Sequence, residues 1–277
     1  MATAAEPGIV DAHLHIWQRS RFVYHWLEAG SALDRDFSLE DVREEMRALV
    51  VRGGILIEAT NTSVEIPWLL EIGQADSLRW GVVGWIDLEH PDVQAKIDHF
   101  AHHEHFKGVR LNWLASRPQP ERLHAAMLAL QSHALVVDIL TRFDRLPEVA
   151  GFIARYPDTV FVLDHLGGVP VGTGELEVWR ATLKLFATLP NVVVKFSGYT
   201  THDAALPTVS TLRDYLQAAV EALGVERLMF GSNYPICLSA SSYSETVMRL
   251  REAASELNAG ERAALFGRTA LKTYRLL

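Results

Sequence analysis

The sequence predicts an α/β protein whose parallel strands close into a barrel. Short β-type runs recur along all 277 residues, and the gaps between them are long enough for a helix. Most of these runs are apolar throughout, which is typical of parallel strands covered on both faces. Because the runs number eight, we expect a single-domain (β/α)8 barrel of the TIM type over residues 1–277. Six strands would instead have favoured an open, doubly wound sheet.

The predicted strands and helices alternate along the chain. The strands are residues 9–13, 54–59, 81–86, 107–111, 135–140, 160–165, 192–197 and 227–232. A helix is predicted over residues 38–52, with Ser38 as the N-cap and with Glu40 and Asp41 in the first turn. Further helical segments are residues 121–133 and residues 211–224, the second ending on Gly224 as a C-cap.

Composition and charge narrow the class of protein. A chain that is 49% hydrophobic can bury a sizeable core, and its net charge of −8 gives no basic face for nucleic acid. The single cysteine, Cys237, excludes an internal disulfide and a Cys-rich zinc site. The opening residues 1–8 do not predict a signal peptide, no apolar run approaches the ~20 residues that span a bilayer, and we find no glycine-rich nucleotide motif. These observations favour a cytoplasmic protein with a small-molecule substrate and no membrane partner.

Polar side chains collect where the predicted strands end. In strand order they are His13 and His15, Glu58, Arg110, Asp138, Asp164 and His165, Lys195 and Ser197, and Ser232 and Asn233. Ionisable groups inside apolar strands are costly to bury unless they are paired or used. Because the carboxyl ends of barrel strands form the functional face, their recurrence on successive strands predicts an active site there.

The spacing of His13 and His15 supports a shared role for these two side chains. Alternate residues of a strand face the same way, so His13 and His15 are expected to project together. Gly167 and Gly168 would let a ligand approach the backbone beside His165. Structural roles compete with these, since Arg110 could pair with Asp138 or Glu58 and Lys195 could form a buried ion pair.

Two further features lie outside the strand ends. His99, His102, His103 and His105 resemble a metal-binding tract, but they precede a strand and are interpreted as a solvated helix end away from the functional face. The long loop after the first strand carries Trp17, Tyr24, His25 and Trp26 and faces the mouth of the barrel. We expect Trp17 and Trp26 to bind substrate, together with Glu58 and Lys195.

Five segments together resemble the amidohydrolase superfamily. They are "VDAHLHIW", "FKGVRLNW", "VLDHLGG", "VVVKFSG" and "RLMFGSNYP", which run in the expected order from residue 10 to residue 235. The branch they most resemble contains sugar-acid lactonases, such as the L-fucono- and L-rhamnono-lactonases, and other lactone hydrolases. The resemblance implies a distorted (β/α)8 barrel and hydrolysis of a small sugar-acid or muconolactone-type lactone.

The resemblance also implies where a metal would lie. Metal-dependent members use the first-strand histidines, a fourth-strand Lys or Glu, fifth- and sixth-strand histidines and an eighth-strand Asp. This chain has His13, His15 and His165, but Arg110, Asp138 and Asn233 stand at the other positions. A single zinc on the three histidines, completed by Asp138 or water, remains an alternative. We expect no obligatory metal, because Arg110 cannot be a ligand and would repel a dication.

At the end of the eighth strand this chain has Asn233 where the family has an aspartate, and this difference affects the mechanism. The usual general base of the family is that aspartate, and Asn233 cannot accept a proton at neutral pH. We therefore expect Asn233 to orient water or the oxyanion, with Asp138 or a histidine as the base and Glu58 as a further candidate. His13, His15, His165 and Arg110 are the expected donors to the carbonyl. A metal-dependent decarboxylase and a non-catalytic sugar-acid-binding barrel are the rival hypotheses.

Overall fold

The structure is a computed structural model that describes residues 8–114, 118–119, 121–199 and 206–276. Its eight strands form one parallel sheet in sequential order. The strands are β1 (Ile9–Leu14), β2 (Val51–Ile57), β3 (Arg79–Gly84), β4 (Phe106–Asn112), β5 (Val136–Leu140), β6 (Phe161–Leu163), β7 (Val192–Phe196) and β8 (Leu228–Phe230). All eight overlap the predicted runs, although β2 begins three residues before its predicted start, and the predicted barrel is confirmed.

Helices lie between the strands. The helical segments are α1 (Arg43–Ala48), α2 (Glu65–Ala75), α3 (Val93–Ala101), α4 (His124–Ser132), α5 (Leu146–Ile153), α6 (His165–Gly168), α7 (Leu176–Leu183), α8 (Val209–Leu223), α9 (Tyr243–Ala253), α10 (Ala259–Ala263) and α11 (Thr269–Tyr274). Of these, α6 is a single turn at positive φ and not a regular α-helix. Short 3₁₀ turns cover Glu40–Val42, Phe143–Arg145, Lys184–Phe186, Val225–Arg227 and Ile236–Ser239, and a π-helical turn covers Ala264–Arg268. None of the helices in the described ranges combines the length and apolar character needed to cross a bilayer.

The first predicted helix is shorter than expected, and its predicted cap is wrong. The Ser38 hydroxyl donates to Asp41 instead of accepting from the helix, and a 3₁₀ turn precedes α1. The helix ends at Ala48, because the apolar residues that follow begin β2 at Val51. The end of α8 matches the prediction, since Gly224 adopts φ +79° and donates its N–H to the Val220 carbonyl.

Backbone hydrogen bonds just beyond β1 and β8 close the barrel. The His15 N–H donates to the Tyr234 carbonyl at 2.7 Å, and the Asn233 N–H donates to the His13 carbonyl at 2.8 Å. Asp11 reinforces this seam, because its Oδ1 accepts from the N–H groups of both His13 and Ser232. This seam, between residues 11–15 and residues 232–234, therefore fixes the backbone that carries His13 and His15.

Two apolar layers surround the strands. The larger layer lies between the sheet and the helices, and the smaller one includes Val10, Ile57, Val136 and Met229. The C-terminal helix α11 contributes Tyr274 to the smaller layer. The chain end thus packs into the same core as the strand residues.

Candidate active site

The predicted polar side chains are buried together at the carboxyl ends of the strands. None is more than 7% exposed apart from His165, which is partly buried. His13 lies in β1 and Arg110 in β4, whereas Glu58 directly follows β2 and His165 opens the turn after β6. The barrel therefore brings residues up to 220 positions apart in the sequence into one cluster, from His13 to Asn233.

The first-strand histidines project together, as their spacing predicts. Their Nε2 atoms are 3.0 Å apart, and His15 Nδ1 donates to the Ile57 carbonyl at 3.0 Å. Burial lowers the pKa of His15 to about 3, and the positive charge of Arg110 adds to the shift. His15 is therefore neutral, with its unprotonated Nε2 turned toward His13.

The position of the His165 side chain is set by a run of residues with positive φ. The φ of His165 is +53°, and the three residues that follow also have positive φ. Gly198 has φ +65°, and a Cβ at that position would lie 2.5 Å from Cγ of the His165 ring. The ring stands 4.4 Å from that of His13, and its Nδ1 lies 2.9 Å from Ser197 Oγ. Burial lowers the pKa of His165 to about 3, so this ring is neutral as well.

Asp164 links the two buried cations. Its Oδ2 accepts from Arg110 Nε at 2.8 Å, and its Oδ1 lies 3.0 Å from Lys195 Nζ. Burial alone would raise the pKa of Asp164, but Lys195, His13 and Arg110 outweigh it and hold the pKa well below its usual range. We therefore expect Asp164 to be ionised at neutral pH.

Asp138 lies deeper in the barrel. It forms an ion pair with Lys195 and accepts from the Tyr274 hydroxyl at 2.9 and 3.0 Å. Burial raises the pKa of Asp138 to about 6, although Lys195 opposes the shift. The carboxylate thus fixes Lys195 against the C-terminal helix and is not among the residues that line the cavity above.

A cavity of about 850 Å³ opens over this cluster. We call it the mouth cavity; its floor is formed by His15, Glu58, Arg110 and His165. Arg110 Nη1 lies 3.5 Å from Glu58 Oε1. Burial raises the pKa of Glu58, and Arg110 limits the rise. A carboxylate and a guanidinium therefore lie side by side against the space where a ligand would bind.

The two predicted aromatic residues occupy different positions. Trp26 is 42% exposed and lines the mouth cavity, with its Nε1 donating to the Ala59 carbonyl at 2.6 Å. Trp17 is buried behind it, with ring centroids 5.2 Å apart, and donates to the Arg35 carbonyl. Trp17 supports the wall and Trp26 forms part of its surface.

The other predicted site residues also lie behind the cavity surface. His13, Lys195 and Asn233 are not among the lining residues. The Asn233 side-chain Oδ1 is buried with no hydrogen-bond partner among the described residues, and its backbone holds β1 instead. Asp164 stands among the polar groups that end the predicted strands, but no catalytic, binding or metal role was predicted for it; in the structure it is the carboxylate between Arg110 and Lys195.

The histidine tract lies at the opposite end of the barrel. The helix α3 ends at Ala101, and His105 leads into β4 while its Nδ1 contacts the Trp80 carbonyl at 2.7 Å. In the described part of the chain, only His13, Asp164 and His165 form a cluster with metal-ligand spacing. The interpretation of the tract as a helix end is confirmed.

The donor set at and just beneath the floor of the mouth cavity fits one divalent cation. Ligand atoms of His13, Asp164 and His165 lie within 4.8 Å of one another, and His15 Nε2 is unprotonated beside them. If His13 carries its proton on Nδ1, facing Asp164 Oδ1 at 3.3 Å, the Nε2 atoms of His13 and His15 are both unprotonated and both available as ligands of one cation.

His13 and His15 can also bind each other by a hydrogen bond when no cation is present. Lys195 Nζ lies 3.2 Å from His13 Nδ1. When this ammonium donates to Nδ1, the His13 proton sits on Nε2 and is donated to His15. The tautomer of His13 therefore decides whether the pair is a ligand set or a hydrogen bond.

Comparison with known proteins identifies the family. The sequence profile of the amidohydrolase family matches residues 10–276. The chain belongs to this family. It is 32% identical over 96% of its length to an L-fucono-1,5-lactonase from Burkholderia multivorans, 96% of which is covered. A second L-fucono-1,5-lactonase, from Burkholderia ambifaria, is 29% identical over 96% of this chain and 95% of that protein.

A solved amidohydrolase has the same fold and shows a metal. The crystal structure of an amidohydrolase from Burkholderia multivorans with bound zinc aligns with a TM-score of 0.88 at 32% identity, covering 98% of this chain and 100% of that one. The resemblance drawn from the sequence motifs is confirmed, and the clustered histidines of this amidohydrolase stand in a fold that binds zinc in a relative.

Proposed function

We propose that this amidohydrolase opens a small lactone by attack of water on the ring carbonyl. The observation that carries the proposal is the Glu58–Arg110 pair on the floor of the mouth cavity, with 3.5 Å between Oε1 and Nη1. Water attack needs a proton acceptor and a group that stabilises the oxyanion, and this pair supplies both. The two lactonase relatives support the substrate class.

We assign the general base to Glu58. Asn233 cannot accept a proton, and Asp138 is held by Lys195 and Tyr274 away from the cavity surface. His15 and His165 face the cavity, but a pKa of about 3 makes each a weak base. A carboxylate whose pKa burial raises, and which lines the cavity, is better matched to proton transfer near neutral pH.

The reaction then follows in two steps. In the first, a water oxygen bonds to the lactone carbonyl carbon, its proton passes to a Glu58 oxygen, and Arg110 stabilises the oxyanion. In the second, the oxyanion collapses, the bond from the carbonyl carbon to the ring oxygen breaks, and Glu58 returns its proton to the leaving oxygen. The product is an open-chain hydroxy acid, whose carboxylate remains within reach of Arg110.

The remaining residues position this pair. Asp164 fixes Arg110, and Lys195, itself held by Asp138, fixes Asp164 from below. His15 and His165 line the cavity as neutral partners for the substrate oxygens. The backbone of Asn233 holds His13, so we propose that Asn233 acts through the seam and not as a ligand of the carbonyl.

We propose that no metal is obligatory for this reaction. Arg110 already supplies the positive charge at the floor. His13 and His15 satisfy each other by a hydrogen bond between their Nε2 atoms and do not need a cation for this. His13, His15 and His165, with Asp164 beside them, would hold a single zinc ion when one is bound. A bound zinc would polarise the carbonyl or a water molecule.

We also propose that the only partner this enzyme needs is its small-molecule substrate. Its net charge of −8 and its polar-floored cavity support a small-molecule substrate and no nucleic-acid or membrane partner. The cytoplasmic location stays a prediction.

A panel of aldono- and muconolactones tests the proposal, with ring opening followed as acid release by a pH indicator. We expect at least one lactone to be opened well above its spontaneous rate. A non-catalytic barrel would open none of them but would still be thermally stabilised by a bound sugar acid, and that result would contradict the proposal.

A further inference from the structure

Large apolar side chains are exposed around the rim of the mouth cavity. The described residues include ten large apolar side chains that are exposed, and four of the ten line this one cavity. They are Val23 at 67%, Val64 at 65%, Leu114 at 44% and Trp26 at 42% exposure. Single exposed apolar residues are ordinary on a protein surface, but a group of them around one cavity indicates a surface that binds something apolar.

Hydrogen bonds hold this rim in place. Trp26 Nε1 donates to the Ala59 carbonyl at 2.6 Å, and Thr60 Oγ1 donates to the Val23 carbonyl at 2.9 Å. Glu65 in turn accepts from the Ala59 N–H at 2.9 Å. The loop after β1 is therefore tied to the loop after β2, and its apolar side chains are kept facing the cavity instead of packing into the core. Such preorganisation favours ligand binding, because less ordering remains to be done when the ligand arrives.

The cavity is also larger than the reaction requires. The groups proposed for chemistry all lie on the floor, and the cavity above them has a volume of about 850 Å³. Cavities near the upper end of about 300–1,000 Å³ hold drug-sized ligands. A single lactone ring over Glu58 and Arg110 would fill only part of this volume.

We propose that the substrate is a lactone that carries an extended apolar substituent, an alkyl or aryl group, which lies against Val23, Trp26, Val64 and Leu114. This inference rests on the proposed lactone hydrolysis and deepens it. The ring lies over the polar floor, where the carbonyl meets Arg110, and the substituent points outward along the rim. The polar floor of the cavity then carries out the reaction, and the apolar rim selects the substrate by binding its substituent.

The test is a series of six-membered lactones that share one ring and carry a linear alkyl chain of zero to six carbons. Burial of each methylene group is expected to raise kcat/KM about fourfold over the first carbons, until the chain extends past the rim. In a V23S/V64S double variant, the same series is expected to rise much less steeply. Both side chains are exposed, so the substitutions leave the core intact.

A matched control is available elsewhere on the surface. Val160 and Val178 are also exposed, at 38% and 57%, and do not line the mouth cavity. We expect a V160S/V178S variant to reproduce the wild-type series.

The outcomes separate this inference from the proposed function. Rapid opening of the unsubstituted lactone with no gain along the series would overturn the apolar subsite and leave lactone hydrolysis standing. A gain that persists in V23S/V64S would place the subsite elsewhere and overturn the assignment to this rim. If no lactone of any kind is opened, the proposed function and this inference both fail.

Discussion

Replacing Glu58 with glutamine removes the proposed base with little change of shape. Glutamine keeps the size of the side chain and a carbonyl oxygen within reach of Arg110, but it cannot accept a proton at neutral pH. A positioned general base contributes about 100- to 10,000-fold in rate, which corresponds to about 2.7–5.4 kcal/mol of activation free energy. We expect E58Q to lower kcat within this range and to change KM little, because the substrate contacts at the floor remain.

The fold of E58Q should survive. Arg110 keeps its hydrogen bond to Asp164 at 2.8 Å. Burial already raises the pKa of Glu58, so loss of its charge removes an unfavourable desolvation term. We expect the free energy of unfolding, measured with urea, to change by less than about 1 kcal/mol.

The assay is the initial rate of acid release as a function of pH. The wild-type rate should fall on the acid side as Glu58 becomes protonated, at a pH above the ordinary range for glutamate. That limb should be absent from the residual activity of E58Q. The reasoning is refuted if E58Q retains kcat within about threefold of wild type while D138N loses about 100-fold or more.

Three further predictions concern stability and positioning. Burial raises the pKa of Glu65 from 4.5 to about 8, so folding stability should fall as the pH rises between these values, by at most about 5 kcal/mol. Because the lowered pKa values of His15 and His165 make stability rise with pH up to about 6.5, the loss is read in urea unfolding from pH 5 to 9 as the difference between wild type and E65Q. The exposed control E71Q should follow wild type, and a pH dependence in E65Q equal to that of wild type would contradict the prediction. G198A should lower both kcat and Tm, because a Cβ would strike the His165 ring; G174A, also at positive φ but with nothing within 4 Å, should lower Tm alone. K195M leaves Asp138 and Asp164 without their shared cation and should cost about 3–5 kcal/mol in urea unfolding, whereas K195M/D138N should recover part of that loss.

The strands were predictable because of where they are buried. Strands covered on both faces are apolar throughout, so β2, β5 and β7 stand out as valine- and isoleucine-rich runs. The pairing of His13 with His15 follows from the period of two along a strand. These features depend only on local sequence.

What the sequence could not show is the depth of each side chain in the barrel. Asp138 and Arg110 lie on neighbouring strands, yet Arg110 lines the cavity and Asp138 is held below it by Tyr274. That contact joins residues 136 positions apart and has no local signal. Trp17 and Trp26 likewise share one loop, but only the packing of the loop against the body makes Trp26 the exposed one.

The most direct test of the central claim is the rate of lactone opening measured against the metal content of the same preparation. The protein is treated with a chelator, its metal per chain is determined by mass spectrometry, and the preferred lactone of the panel is then assayed with and without added zinc. We expect kcat of the metal-depleted protein to stay within about twofold of the untreated protein, and kcat of E58Q in the same state to fall by about 100-fold or more. A rate that falls in proportion to the metal removed and returns with zinc would contradict it.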